Sequence, residues 1–270
     1  MNNGLVSIIT PTYNCGRFVE ETIRSVQAQT YSNWEMIIVD DCSTDNTADI
    51  VAKYVDEDKR IKYIRNEANM GAAETRNKAL RAASGRWIAF LDSDDIWLPE
   101  KLQRQVEFME SNGYAFSYHE YEEIDEASQP LGVHVGGLSR VGYYGMMSCC
   151  WPGCLTVMYD TKVVGLIQIA LIKKNNDSAL WLEVSKKTTC HLLRQSLALY
   201  RRRKGSITPV GIWGKIKAHY PLFRIAAGHN VVVAWIWTFI NVFGNAYKKL
   251  FYTNRYDKKK KYSILTTRCW

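Results

Sequence analysis

Asp92-x-Asp94 sets two carboxylates one residue apart, directly after the apolar run Trp87–Leu91. Such a pair at the end of a buried strand can hold a hard divalent cation, Mn²⁺ or Mg²⁺, with positions left open for phosphate oxygens. The cation would neutralise a diphosphate as it leaves. The same acids also suit ordinary capping, since Asp95 precedes Ile96-Trp97-Leu98-Pro99 and could open the next helix. Both readings stand on these residues alone. Asp40-Asp41 follows a second apolar run, where one acid is expected to cap the loop. An acid at this position can also accept from a base N–H or a ribose hydroxyl. Tyr13, just past the first apolar run, offers either a stacking face for a nucleobase or an amphipathic rim residue. Neither GxGxxG nor GxxxxGK[ST] occurs, so phosphate charge must be met by a metal or by basic side chains.

The elements that must hold these groups alternate. Leu5–Thr10, Trp34–Val39, Ile61–Ile64 and Trp87–Leu91 read as short buried strands. Between them, Arg17–Gln29, Asp45–Tyr54 and Ala72–Ala83 read as helices, with Ser43 or Thr44 capping the second. This β-α-β-α order predicts an α/β fold with a mainly parallel sheet, right-handed crossovers and a ligand beyond the carboxyl ends of the strands. The polar clusters Thr12–Asn14, Asp40–Asp41 and Asp92–Asp95 all fall at such ends. Further on, Phe116–Tyr121 and Cys154–Tyr159 read as strands, Gln129–Gly137 as a turn-rich segment and Asp177–Lys187 as a helix.

Charge divides the chain. Up to Tyr200 there are 20 basic and 26 acidic side chains, a net of −6; from Arg201 onward there are 15 basic residues and only Asp257, a net of +14. The apolar content, 47%, is too high for a disordered chain. No run reaches the ~18 apolar residues of a conventional spanning helix, and the N-terminal apolar stretch is too short for a signal peptide. The seven scattered cysteines predict reduced cytosolic thiols. Cys149-Cys150-x3-Cys154 with Cys190-His191 lacks the standard ligand spacing of a zinc site.

Four blocks in order, Val6–Asn14 (VSIITPTYN), Ile38–Asp45 (IVDDCSTD), Gly71–Asn77 (GAAETRN) and Ala89–Asp95 (AFLDSDD), resemble the successive motifs of the family 2 glycosyltransferases, which have the GT-A fold. Looser similarity runs on through Gly153–Tyr159, Asn176–Leu182 and Tyr200–Ile207, towards enzymes of the teichuronic-acid and capsular-polysaccharide type. The resemblance implies an inverting, metal-dependent hexosyltransferase-type enzyme that uses a UDP-sugar. It implies that Pro11, Tyr13 and Asp41 hold the uracil, that Asp92 lies near the ribose or sugar, and that Asp94 binds Mn²⁺ or Mg²⁺. Gly71 and Arg76 fall in a donor-side block. The family's Glu-Asp motif, whose Asp is the general base, falls on Asn176-Asp177, so Asn replaces Glu and the base is kept. The plain structural alternative for Asp177 is a helix N-cap.

The division expected is a GT-A domain over 1–207 and a basic helical, membrane-associating extension over 208–270. Val231–Gly244 is apolar except for Thr238 and Asn241. It is flanked by Lys215, Lys217 and Arg224 before it and by Lys248, Lys249, Arg255 and Lys258–Lys261 after it. Together with Trp213, Trp235 and Trp237, this is the composition of an in-plane helix on an anionic membrane; a core or oligomer-interface helix is the alternative. The expected partners are a UDP-sugar, a lipid-linked or glycan acceptor and the inner face of the cell membrane, with no nucleic acid. Lysine runs among aromatics also suit phosphate backbones, but the acidic body and the missing recognition motifs oppose that reading. A sugar-nucleotide nucleotidyltransferase, which generates pyrophosphate, is the other enzyme class compatible with an acidic α/β site. The sequence leaves the oligomeric state and the sugar open.

Overall fold

Runs of β-branched and aromatic residues bounded by polar ends build the first half of the sheet in the computed structural model, which describes residues 4–203 and 211–256. β1 (Val6–Thr12), β2 (Trp34–Asp40), β3 (Ile61–Arg65) and β4 (Trp87–Phe90) alternate with α1 (Val19–Gln27), α2 (Thr47–Glu57) and α3 (Ala72–Ala82). β1 pairs in parallel with both β2 and β4, and β2 with β3. Their carboxyl ends therefore lie along one edge. Side chains alternate across the sheet: Ile9, Ile37, Val39, Ile88 and Phe90 enter one core, Val6, Ile8, Met36, Ile38 and Trp87 the other. Both faces are thus apolar, as helices on each side require. In α1, Val19, Ile23 and Val26 are buried at helical spacing.

Beyond β4 the sheet departs from the parallel expectation. β5 (Ile96–Trp97), α4 (Lys101–Asn112), β6 (Phe116–Ile124), β7 (Pro130–Val135), β8 (Arg140–Val141) and α5 (Tyr143–Ser148) lead to β9 (Met158–Asp160). β9 lies antiparallel between β4 and β6, which makes the sheet, eleven-stranded among the described residues, mixed. After α6 (Thr161–Val164) and α7 (Asn176–Ser185), β10 (Cys190–Arg201) runs parallel to β6 and antiparallel to β5 and β8.

Several local expectations are corrected. The turn-rich Gln129–Gly137 contains β7, stabilised by β6 on one side and by β11 (Thr253–Arg255) on the other. Cys154–Tyr159 is not one strand. Cys154–Thr156 is a 3₁₀ turn, with the Thr156 hydroxyl donating to Gly153 O at 2.7 Å, and only Met158 onward is extended. α2 is capped neither by Ser43 nor by Thr44. Asp45 Oδ1 accepts from the Thr47 N–H and hydroxyl at 3.0 and 2.5 Å.

The C-terminal segment packs on the body. α8 (Gly211–Pro221) continues through a π-helical turn, Leu222–Ala226, to α9 (Val231–Phe251), which is capped by Asn230. Leu222, Phe223 and Ala234 join the core cluster of the sheet. Residues 204–207 of the Tyr200–Ile207 block, the boundary at 207/208 and the lysines Lys258–Lys261 lie outside the described residues. α9 docks through its small and polar side: Ala234, Thr238, Asn241 and Val242 are buried, and the Asn241 amide donates to Met147 O at 2.8 Å. Its large apolar residues, Val232, Ile236, Phe239, Phe243 and Leu250, face outward.

At the seam, a Cβ on Gly244 would stand 2.0 Å from the backbone oxygen of Ser148, which ends α5. Gly244→Ala is therefore expected to push α9 off the body and to cost about 1–3 kcal/mol, the usual range for overpacking, as measured by urea or thermal denaturation.

Candidate active site

β1, β2 and β4 deliver their carboxyl ends side by side, and each end carries part of the site. Pro11 is inside β1, in register with Val39. Tyr13, one residue beyond the strand, is 49% exposed. The neighbouring Asn14 ties two strand ends together: its N–H donates to Ser43 Oγ at 2.9 Å and its Oδ1 accepts from the Thr44 N–H at 2.8 Å.

The two acids after β2 do different work. Asp40 is fully buried and caps its own loop, accepting from the Ser43 N–H and hydroxyl at Oδ1 and from Tyr63 at Oδ2. Burial, with the Asp40 charge adding to it, raises the Tyr63 phenol above its ordinary pKa. Asp41 clamps the entrance to α3. Its Oδ1 accepts from the Asn66 amide and the Met70 N–H at 2.9 and 2.7 Å, and its Oδ2 from the Gly71 N–H at 2.8 Å. Gly71 has φ +81°, the left-handed region open to glycine at little cost, and so lets the chain turn into α3 with its N–H aimed at Asp41.

Arg76, on α3, joins the two halves of the site. It is 8% exposed, and its guanidinium donates to Asp92 after β4 and to Asn176 Oδ1 at the start of α7, the latter at 2.5 Å. Burial works against this cation, but the charges of Asp92 and Asp177 outweigh it and hold its pKa above the ordinary guanidinium value. The position at which Asn replaces the family's Glu is thus occupied by a neutral acceptor for Arg76.

Asp177 lies in the first turn of α7, not at its cap; Asn175 is the N-cap residue. Its Oδ1 accepts from the Ser178 N–H at 2.7 Å. Asp94 Oδ2 pairs with Arg203 at 2.9 Å, and burial followed by the charge of Asp92 raises its pKa. Asp95 does not open the helix after it. It is buried and accepts from the Arg201 N–H at 2.8 Å, tying β10 to the acidic loop; burial, with Asp94 and Asp92 behind it, pushes its pKa well up. Arg203 is the residue that sequence reasoning missed. Its signal lay in the Tyr200–Ile207 block, but with β10 unread nothing placed it beside Asp94. Cys149, Cys150, Cys154 and Cys190 are free thiols, and among the described residues no cluster of three or more His, Cys, Asp or Glu forms a metal cage.

The strand ends therefore offer acids and an exposed aromatic for a nucleotide, a buried arginine linking them to α7, and a carboxylate on that helix. The profile of glycosyl transferase family 2 matches residues 7–148. The chain is 41% identical over 246 residues to the Bacillus subtilis (strain 168) protein that carries the name teichuronic acid biosynthesis glycosyltransferase TuaG, covering 91% of this chain and 97% of that one. It is 42% identical over 186 residues to WfgD of Escherichia coli, a UDP-Glc:α-D-GlcNAc-diphosphoundecaprenol β-1,3-glucosyltransferase, covering 69% and 72% of the two chains. Among solved structures, S. aureus TarS 1–349 in complex with UDP-GlcNAc superposes with a TM-score of 0.68 at 24% identity; 83% of this chain is covered and 65% of that one, a likeness of fold. The fold is GT-A, and the chain belongs to glycosyl transferase family 2.

Proposed function

We propose that this protein is an inverting glycosyltransferase that moves a sugar from a UDP-sugar to a hydroxyl of a lipid-linked glycan, in the synthesis of a bacterial cell-surface polysaccharide at the inner face of the membrane. The observation that carries the reading is Arg76, which joins Asp92 at the end of β4 to the first turn of α7, where Asp177 sits. TarS, solved with UDP-GlcNAc, and WfgD, named for a UDP-Glc donor and a diphosphoundecaprenol acceptor, support the donor and acceptor classes.

In this reading the uracil lies on the edge formed by Pro11, Tyr13 and Asp41, with Tyr13 stacking on the base. Gly71 and Arg76 border the donor, and Asp92 takes a hydroxyl of ribose or sugar. A cation of the Mn²⁺ or Mg²⁺ kind needs one or two carboxylates and completes its shell with phosphate oxygens and water. Asp94, partly exposed with Asp92 close by, fits that demand. When bound, the cation would neutralise charge on the departing diphosphate. Arg203, now on Asp94, is a second positive charge within reach of the same phosphates.

Asp177 is the general base. Ser178 occupies its Oδ1, which leaves Oδ2 to take the proton from the acceptor hydroxyl. The acceptor oxygen forms its bond to the anomeric carbon from the face opposite UDP. The carbon–oxygen bond to the diphosphate breaks, its electron pair leaves with UDP, and the anomeric configuration inverts.

The outward face of α8 and α9 supports docking on an anionic bilayer. Trp213 and Phe243, 72% and 68% exposed, lie on it with Ile236 and Leu250, and Lys215, Lys217, Arg224 and Lys249 are near by in the sequence. Lys248, expected among these cations, instead donates to Cys150 O and Trp151 O. Among the described residues no helix is long and apolar enough to cross a membrane.

The function is tested by UDP release from a panel of UDP-sugars, with and without Mn²⁺, in the presence of a lipid-linked acceptor; no release with any donor would overturn it. Asp177→Asn is expected to lower kcat by ~10²–10⁴-fold with the Kd for UDP unchanged by calorimetry, and normal turnover would remove Asp177 from the base role. Ile236→Asp/Phe243→Asp is expected to weaken sedimentation with phosphatidylglycerol vesicles by about tenfold or more, whereas equal sedimentation would reject the membrane face.

A further inference from the structure

Next to the start of α7 lies a cleft of about 590 Å³ between residues 171–174, which lead into that helix, and α8 with its π-helical continuation. Its volume is in the range of small-molecule sites. Two kinds of side chain line it. Ile172, Pro221 and Ile225 are its apolar lining, and Lys173, Lys174 and Lys217 line the same cleft. All three lysines are exposed, and none forms an ion pair with a carboxylate among the described residues. Three like charges around one cleft repel one another, a cost that a polyanion would relieve.

The cleft is fixed to the proposed base. The Asn175 amide, two residues before Asp177, donates at 2.9 Å to the carbonyl of Ala218, which lines the cleft. His219, the next residue, lies within electrostatic reach of Asp177. Ile225, which is exposed, also lines the cleft and precedes α9 in the chain. The cleft is thus tied both to α7, which carries the carboxylate, and to the segment that leads to the outward apolar face.

We propose that this cleft binds the diphosphate and the first isoprene units of a polyprenyl-diphosphate acceptor. Lys173, Lys174 and Lys217 pair with the diphosphate, and Ile172, Pro221 and Ile225 receive the chain as it leaves for the bilayer. The glycan on the far side of the diphosphate is thereby directed to Asp177. The inference rests on the transferase reading above and adds where the acceptor is gripped and by which chemistry. Three cations in one small cleft exceed what the single negative charge of a phosphatidylglycerol headgroup calls for and match the two or three charges of a diphosphate.

The test is calorimetric binding of a C15 isoprenyl diphosphate to the full chain, with saturating UDP present to fill the donor site. Lys173→Gln/Lys174→Gln/Lys217→Gln is expected to weaken binding by about tenfold or more, since charge-assisted phosphate contacts are the strong ones. The corresponding triple Arg variant is expected to retain binding, and thermal melts of both variants check folding. Inorganic diphosphate and short-chain phosphatidylglycerol are expected to bind at least about tenfold more weakly than the isoprenyl diphosphate. Equal binding by wild type and Gln variant overturns the proposal. So does equal affinity for inorganic diphosphate, which would mark a site for soluble phosphates, or for phosphatidylglycerol, which would mark a headgroup site. Lysine-dependent binding in a chain that never releases UDP would sink the transferase reading and not the cleft; UDP release with an acceptor KM unaffected by the Gln variant would sink the cleft alone.

Discussion

The site depends on one buried guanidinium. Arg76 is held in low-dielectric surroundings, where an unpaired charge is costly and a paired one fixes geometry. Its partners come from elements far apart in sequence, Asp92 after β4 and Asn176 at the start of α7. Remove the arginine and Asp92 loses its counter-charge while the first turn of α7 loses a tether. Because Arg's fork donates in two directions at once, lysine is no substitute at such a position. Asn176 is intelligible in these terms: with Asp92 already opposite the cation, a neutral acceptor suffices for the second arm.

The acids around this bridge show how one residue type is sorted by environment. Asp40 and Asp41 are neighbours, yet one closes its own loop and the other holds the entrance to α3 through two backbone N–H groups. Asp92, Asp94 and Asp95 divide likewise: the first faces Arg76, the second Arg203, and the third is sealed beneath the N–H of Arg201. β10 thus completes the acidic loop from behind, which is why a strand late in the chain matters to a site composed mostly of early residues.

The parallel half of the fold was legible because its strands are short, mostly apolar and punctuated by polar ends, while its helices repeat at helical spacing. Asp41, Asp92 and Asp94 stand out in the same way, at boundaries between an apolar element and a polar loop, whereas Asp177 and the roles proposed for all four come from the family resemblance. What stayed hidden lacks a local signal. β10 is interrupted by irregular register against β6 between Leu193 and Ser196 and again before Leu199, so its alternation never accumulates. β7 carries turn-type residues and owes its extended form to neighbours on both sides. The Arg76–Asn176 bond spans a hundred residues, a distance over which spacing says nothing.

α9 largely reverses the usual arrangement of a surface helix: small and polar residues face the protein, with Trp237 and Val242, and most of the bulky apolar ones face away. Such a helix has no greasy side to uncover, so the docking proposed above would require no refolding. The same permanence has a colloidal consequence. Were α9 to dock on a bilayer as proposed, self-association in water and recruitment to that bilayer would be competing fates of one surface. The basic residues near it in the sequence would then act against the first as well as for the second, by keeping like-charged copies apart.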